Sequence, residues 1–382
     1  MNPAAGQTER ELADAVRDWA AGLDPRIDEA ERQGRLPTEI VQDLGKLGVL
    51  GMSVPEADGG LGASTVVFAL VLEELAAAWP SLAVAVSVNS GIVAGSIVRH
   101  GTPEQRARWL PRLMDGSGLG AFALTEASSG SDAAALRTTA RRDGDGWVLS
   151  GRKEFITNAK YAPLAITFAR VGPAEAGRPH AGITAFIVPA DAHGVSFGAS
   201  EQKMGLLASD TSALVLEDAR VGADAVLGEV GRGFGIALGG LDGGRIGIAA
   251  QSIGIARAVI ERATSYARDR HQFGKAIVEF DAVRFSLAQA RTDIDAARLL
   301  ALRAAWLRDR ACPFTREASM AKLFASEAAQ RVTYQALQVF GGYGYMREYE
   351  VERYARDARA TTIYEGTSEV QRMVIARSLM AA

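Results

Sequence analysis

Between Gly120 and Gly228 the chain carries six short β-forming runs with no helix-length segment between any two of them. A parallel strand pair needs a crossover of about a dozen residues or more, usually helical. The spacing therefore argues against a doubly wound nucleotide-binding sheet and favours an antiparallel barrel or sandwich. The runs span residues 121–125, 146–150, 164–170, 183–188, 195–197 and 213–217. Gly, Asp and Pro separate them, and Asp143-Gly144-Asp145-Gly146 holds the Asp-Gly dipeptides of a hairpin.

On both sides of this region the apolar period is helical. Residues 8–20 repeat Leu12, Ala15, Val16 and Trp19 on one face, and Pro37 opens a helix that ends at Gly48. A Gly/Pro loop covers 54–62, and apolar helices are expected over 64–78 and 82–100. Thr102-Pro103-Glu104-Gln105 forms a capping box with proline at the first helical position. Downstream, three long helices are expected over 234–269, 281–309 and 316–340. Small residues on more than one face of these helices fit close packing in a bundle and against other subunits. The expected class is α+β: a helical domain over 1–119, a β-domain over 120–228 and a helical bundle over 229–382. A length of 382 residues accommodates two or three such domains.

Charge and composition narrow the partners. A net charge of -3 leaves no surplus of positive charge for nucleic acid or an anionic membrane surface. The single cysteine, Cys312, excludes an internal disulfide and a cysteine-rich metal site. Residues 1–8 have neither a basic flank nor an apolar core, so no signal peptide is expected there. The apolar run 82–88 is broken by Asn89 and Gly91 and is expected to fall short of a membrane span, so a cytoplasmic protein is expected. His100, His180, His193 and His271 lack partners at metal-ligand spacing, which argues against a metal site. No GxxxxGK[ST] or GxSxG motif occurs, and Gly231-Arg-Gly233-Phe-Gly235 misses the dinucleotide spacing.

The stretch richest in chemistry is Thr361-Thr-Ile-Tyr-Glu365-Gly-Thr-Ser-Glu369. A charged amphipathic segment over 350–359 precedes it. A helix over 368–380 follows, with Val370, Met373, Val374 and Leu379 on its apolar side and Thr367 or Ser368 as N-cap. Glu365 thus sits between two helices that could aim its carboxylate into a cavity. An ordinary turn with a solvated glutamate fits these residues equally well.

Further segments rich in glycine, hydroxyls and amides end strands or helices: Phe122-Ala-Leu-Thr125 through Asp132, Phe155-Ile-Thr-Asn158, Arg270-His-Gln-Phe-Gly274 and Gln338-Val-Phe-Gly341-Gly342. Backbone amides at such ends, with hydroxyls and one arginine, suit a large planar cofactor carrying a diphosphate, although each alone is also an ordinary turn or cap. Val54-Pro-Glu-Ala-Asp-Gly-Gly-Leu-Gly62, Met204-Gly with Ala208-Ser-Asp-Thr211, Leu241-Asp-Gly-Gly-Arg245, Gly341-Gly-Tyr-Gly344 and Tyr364-Glu-Gly-Thr367 complete an ordered set. Together they resemble the acyl-CoA dehydrogenase family across essentially the whole chain.

The resemblance implies an α-helical domain, a central β-domain and a C-terminal four-helix bundle assembled as a homotetramer. It implies FAD held by Phe122, Leu124, Thr125, Ser131, Phe155, Ile156, Thr157, Thr367 and Glu369. A neighbouring subunit would add Arg270, Gln272, Phe273, Phe280, Gln338, Val339, Gly341 and Gly342. Ser131, Asp242, Arg245, Gly366 and Arg377 match positions along the acyl-CoA path, and a structural ion pair with Asp242 is the competing reading of Arg245. Glu365 is implied as the base that takes the α-proton, and its amide, with a flavin ribityl hydroxyl, as the holder of the thioester oxygen. Burial beside an acyl chain and a flavin would raise such a carboxyl from about 4.3 towards neutrality. The β-hydride would pass to the flavin, giving a trans-2-enoyl thioester, with electrons leaving to an electron-transfer flavoprotein. Some relatives carry the base at the position occupied here by Gly244, which can abstract nothing and leaves Glu365 alone in that role.

Three departures from the family pattern are visible. Ala127-Ser128 replaces Pro-Gly, Phe155 stands where tryptophan is common, and Asp281 replaces a frequent glutamine near the expected diphosphate. Residues 241–251 look most like short- and branched-chain members. The alternatives are a flavin oxidase or monooxygenase, a dehydrogenase of acyl carrier protein thioesters, and a flavin-free structural homologue.

Overall fold

The computed structural model describes residues 7–380; the first six residues, and most of the segment read as no signal peptide, lie outside them. Seven helices come first: α1 (Gln7–Ala20), α2 (Asp24–Gln33), α3 (Thr38–Lys46), α4 (Thr65–Ala78), α5 (Pro80–Val86), α6 (Gly95–His100) and α7 (Pro103–Met114). Eight strands follow: β1 (Ala121–Ala123), β2 (Thr139–Asp143), β3 (Gly146–Thr157), β4 (Leu164–Arg170), β5 (Ile183–Pro189), β6 (Val195–Phe197), β7 (Thr211–Val221) and β8 (Val226–Leu227). The chain closes with α8 (Gly233–Asp269), α9 (Asp281–Asp309), α10 (Thr315–Phe340), α11 (Val351–Ala360) and α12 (Ser368–Met380). The expected α, β, α order is the order found.

The expected caps form as read. The Thr102 hydroxyl accepts from the Gln105 amide while the Gln105 side chain accepts from the Thr102 amide, so α7 starts in a reciprocal box. Helix α2 escapes the periodicity argument because only Ile27 and Ala30 give it an apolar stripe. The expected helix over 82–100 exists but is not uniform: a π-helical stretch, Ser87–Ala94, joins α5 to α6. Such stretches concentrate at functional sites because they displace side chains from the regular helical register. The helical run Pro80–His100 is long and apolar enough to cross a membrane by length and composition, with mean hydropathy 1.8, which corrects the expectation that it falls short. Its most apolar 18-residue window is 89% buried inside the protein, and burial in a core makes the same demand on composition as lipid does.

The sheet runs β6-β7-β3-β2-β4-β5-β8, with β1 paired to β4. The β2–β3 hairpin turns at Gly144 and Asp145, where Gly144 has φ +61°. Most pairs are antiparallel as expected, but β1–β4 and β2–β4 are parallel, so the sheet is mixed. The crossover from β1 to β4 is made by the β2–β3 hairpin rather than a helix, and a search for intervening helices cannot detect it.

Helices from both ends of the chain share one apolar core, in which Phe68, Leu72 and Leu75 of α4 meet Ile246, Ile253 and Val259 of α8. Glycine makes this approach possible, because a Cβ at Gly254 would lie 2.3 Å from the Glu73 carbonyl oxygen. A second cluster couples α6, α7 and the start of α8 to β4 and β5. The loop 204–210 joins all three regions. Glu31 of α2 accepts from the Leu207 and Ala208 amides and from Trp79 and Ser81, while Asp357 of α11 accepts from the Leu206 amide at 2.6 Å. Burial, with Glu31 nearby, raises Asp357 to about 7.

Helix α12 departs from expectation in one respect. Its buried positions are Ser368 and Gln371, while Met373 and Leu379 of the expected apolar side are 53% and 68% exposed. Periodicity had located an apolar stripe correctly but not what covers it.

Candidate active site

The three regions meet at a cleft of about 500 Å³. The π-helical stretch supplies Val88 and Ile92, and β1 and its following loop supply Phe122, Leu124, Thr125 and Ser131. The end of β3 supplies Phe155, Ile156 and Thr157, α8 supplies Leu238, Leu241 and Arg245, and the α11–α12 connection supplies residues 363–367. Eight of the nine residues expected at the flavin and three of the five expected along the acyl path therefore share one wall, Ser131 counting in both sets.

The wall is held from behind. Glu126 accepts from the Arg137 and Thr138 amides, the Thr138 hydroxyl and, at 2.7 Å, the ammonium of fully buried Lys153, which also donates to the Leu124 carbonyl. Burial draws Lys153 down to about 8 although Glu126 opposes this, and the sum of donors keeps Glu126 below its ordinary value. Ala127 and Ser128 occupy a tight turn closed by reciprocal Glu126–Ser129 backbone bonds of 3.0 Å, so replacement of Pro-Gly leaves the turn intact. Phe155 is 65% exposed at φ +58° on an irregular stretch of β3, which turns its ring out to the cleft.

Glu365 sits at φ +53° and Gly366 at φ +91°. Left-handed backbone costs a non-glycine residue about 1–2 kcal/mol, so the surroundings must impose it. Gln371 donates to both carbonyls, at 3.3 Å to Glu365 and 2.8 Å to Gly366, and the fully buried Lys322 of α10 donates to the Gly366 carbonyl at 2.7 Å. The carboxylate is thereby laid over Gly244 of α8, where an added Cβ would lie 2.1 Å from Glu365 Oε2. Both carboxylate oxygens are buried and neither has a hydrogen-bond partner. Desolvation lifts the carboxyl to about 7 against the opposing charges of Lys322 and Arg245.

Arg245 is 4% exposed, donates to Asp242 at 2.6 Å and to the Ser319 hydroxyl at 3.1 Å, and lines the cleft as well. Both readings of this residue thus meet in one geometry. Asp242 lies behind the wall, where its second oxygen accepts from Thr315. Thr367 lines the cleft and caps α12, whereas Glu369 and Arg377 point away to solvent.

The residues expected at a neighbour's cofactor gather elsewhere. Arg270, Gln272, Val339, Gly341 and Gly342 line a separate hollow of about 550 Å³ that shares no residue with the cleft. Phe273 is 93% exposed and packs edge-on to Phe280 at 6.1 Å, Gln338 is exposed, and Asp281 is paired with Arg284. Lys153 and Lys322 were not anticipated. Each carries a charge at a position otherwise patterned for the core; Lys322 stands among Ala318, Ala321 and Ala325, all buried.

A mixed sheet between two helical regions, with an unpaired buried carboxyl in a cleft at their junction, gives the site of an enzyme that can take up a proton. The N-terminal, middle and C-terminal domain profiles of the acyl-CoA dehydrogenases match residues 6–117, 121–219 and 231–380. This chain belongs to the acyl-CoA dehydrogenase family. It is 44% identical to the short-chain specific acyl-CoA dehydrogenase of Bos taurus over 98% of this chain and 90% of that one. It superposes on butyryl-CoA dehydrogenase of Megasphaera elsdenii with a TM-score of 0.96 at 39% identity, covering 100% of both chains. A chain from the structure of the electron transferring flavoprotein of Acidaminococcus fermentans gives 0.97 at 39% identity, again covering 100% of both.

Proposed function

We propose that the protein is an FAD-dependent acyl-CoA dehydrogenase that forms the trans-2-enoyl thioester and passes electrons to an electron-transfer flavoprotein. The observation that carries this reading is the Glu365 carboxyl: buried, unpaired and raised to about 7 at the floor of the shared cleft. A base is most effective when its pKa lies near working pH, and desolvation has brought this one there. The aromatic and hydroxyl lining of Phe122, Thr125, Ser131, Phe155, Thr157 and Thr367 fits an isoalloxazine. Bound FAD would supply the acceptor for the hydride leaving the β-carbon. The protein's own part is to exclude water, hold the acyl chain against Val88, Ile92 and Leu241, and aim the carboxylate at the α-carbon. The Glu365 amide has no acceptor among the described residues and so is free to hold the thioester oxygen.

The short-chain and butyryl activities of the relatives support a short acyl substrate for this chain. A homotetramer is supported by the large apolar side chains exposed on the C-terminal helices and their connections, among them Phe273, Phe285, Tyr345 and Leu379. An exposed, unpaired Cys312 fits a reducing cytoplasm. The test is anaerobic mixing of the purified protein with a panel of acyl-CoAs, reading loss of flavin absorbance. Bleaching is expected with short chains, and Glu365→Gln should bind substrate while reducing flavin about 10²- to 10⁴-fold more slowly. Near-normal reduction in that variant would sink the assignment of the base.

A further inference from the structure

We propose that Lys322 is a positioning residue for the base: its ammonium fixes the Gly366 carbonyl, and with it the left-handed Glu365–Gly366 turn, while its charge holds the carboxylate ionised. The inference rests on Glu365 being the base.

Lys322 is completely buried, and its one hydrogen-bond acceptor among the described residues is the Gly366 carbonyl, 2.7 Å away. A buried ammonium normally saturates its donors, because each unmet one carries a desolvation cost. Glu365 has the complementary deficit, two buried oxygens with no donor. The ammonium is bonded to the residue that follows Glu365, so both deficits bear on one loop. A Lys in this place therefore does more than fill space. It anchors the peptide that carries the base while leaving ammonium charge to act on the carboxylate.

The charges around Glu365 are few. Arg245 on α8 is committed to Asp242 and Ser319. The π-helical stretch presents only Val88 and Ile92 to the cleft, and Tyr364 donates to Gln251. From the β-domain, Glu126 reaches the cleft wall but is bonded to Lys153 and Thr138. Glu327 and Glu369 act on Lys322 itself, and burial draws its ammonium down to about 8. Lys322 and Arg245 are thus the two cations opposing the desolvation of Glu365. Of these, Lys322 alone also grips the base's own loop.

The experiment uses the flavin-loaded protein and two substitutions that separate the roles. Lys322→Gln keeps a donor and removes the charge, and Lys322→Met removes both. Infrared pH titration follows the protonated carboxyl band of Glu365, identified by its loss in Glu365→Gln. Its midpoint is expected to rise by about one pH unit in both lysine variants, since an opposing charge has been removed. The limiting rate of flavin reduction above that midpoint is expected to fall about tenfold in Lys322→Met and clearly less in Lys322→Gln. An unmoved midpoint, or wild-type limiting rates in both variants, overturns the proposal. Should Lys322→Met not fold, the midpoint in Lys322→Gln decides. The infrared readout follows Glu365 whether or not it is the base, so failure of the catalytic assignment is seen separately, in the rate of Glu365→Gln.

Discussion

At Glu365 the same burial that tunes the base also weakens the fold. Its carboxyl titrates near 4.5 when exposed and near 7 in the folded protein, so folding disfavours its charged form. Its contribution is intact below pH 4.5 and is lost as pH rises through 7. Lys322 and Lys153, both at about 8, are charged in either state over most of that range and add little to the slope. Asp357 slopes the same way, so the informative quantity is a difference. Denaturant titrations from pH 4.5 to 7.5 should show wild type losing stability relative to Glu365→Gln, and parallel curves would contradict the buried titration. Glu126 offers the opposite case, a buried charge with its partners satisfied. Glu126→Gln leaves the buried Lys153 ammonium without its counter-charge, with only neutral acceptors such as the Leu124 carbonyl, and unfolding should cost about 3–5 kcal/mol less than in wild type. A loss below about 1 kcal/mol in chemical denaturation would mean that Lys153 finds another acceptor or sheds its proton.

At the scale of the element, α8 shows why a helix can be rich in glycine. Each interior glycine costs about 1 kcal/mol of helix propensity, yet Gly244 and Gly254 sit where a Cβ would meet a carboxylate and a facing backbone. Gly244→Ala should therefore keep the helix and displace the base. The variant is expected to retain flavin and lose about 10²-fold in reduction rate, the scale of an ångström's misplacement. Wild-type turnover would show that the carboxylate has room to swing. Gly244→Glu on a Glu365→Gly background should recover a small part of the activity, because a side chain from 244 enters the space that the Glu365 carboxylate occupies. Asp242, two residues along, faces Thr315 and Arg245 instead. The π-helical stretch belongs to the same scale: it places Val88 and Ile92 on the cleft while Asn89 ties the neighbouring backbone at Leu113 and Gly120.

At the scale of the molecule, the cleft and the Arg270–Gly342 hollow share no lining residue, yet the family resemblance assigns both to one cofactor. The two agree if the hollow of one subunit serves the cleft of another. Cofactor binding and assembly are then linked equilibria. Arg270→Ala should lose FAD more readily on dilution and shift to smaller species in sedimentation, and full flavin content in an unchanged oligomer would count against a shared site. The outward Met373 and Leu379 of α12 fit the same picture.

The sequence by itself determined the α, β, α order and the three long C-terminal helices to within a residue, while the cleft residues from Phe122 to Ser131 and from Phe155 to Thr157 were pointed to by the family resemblance. Periodicity, caps and turn dipeptides are local, and local rules suffice where a segment's neighbours in sequence decide its conformation. Glu365 was legible too, but only as a carboxylate on a turn, with its solvated reading equally open. What the tertiary structure decided is everything that depends on distant segments meeting: the parallel β1–β4 pair, the single core shared by both helical regions, the turning outward of the apolar side of α12. It also decided the state of the base. Desolvation, the void at Gly244 and the ammonium of Lys322 come from α8 and α10, more than 40 residues away in sequence. A charge's environment is a property of the fold around it, and no window of sequence contains it.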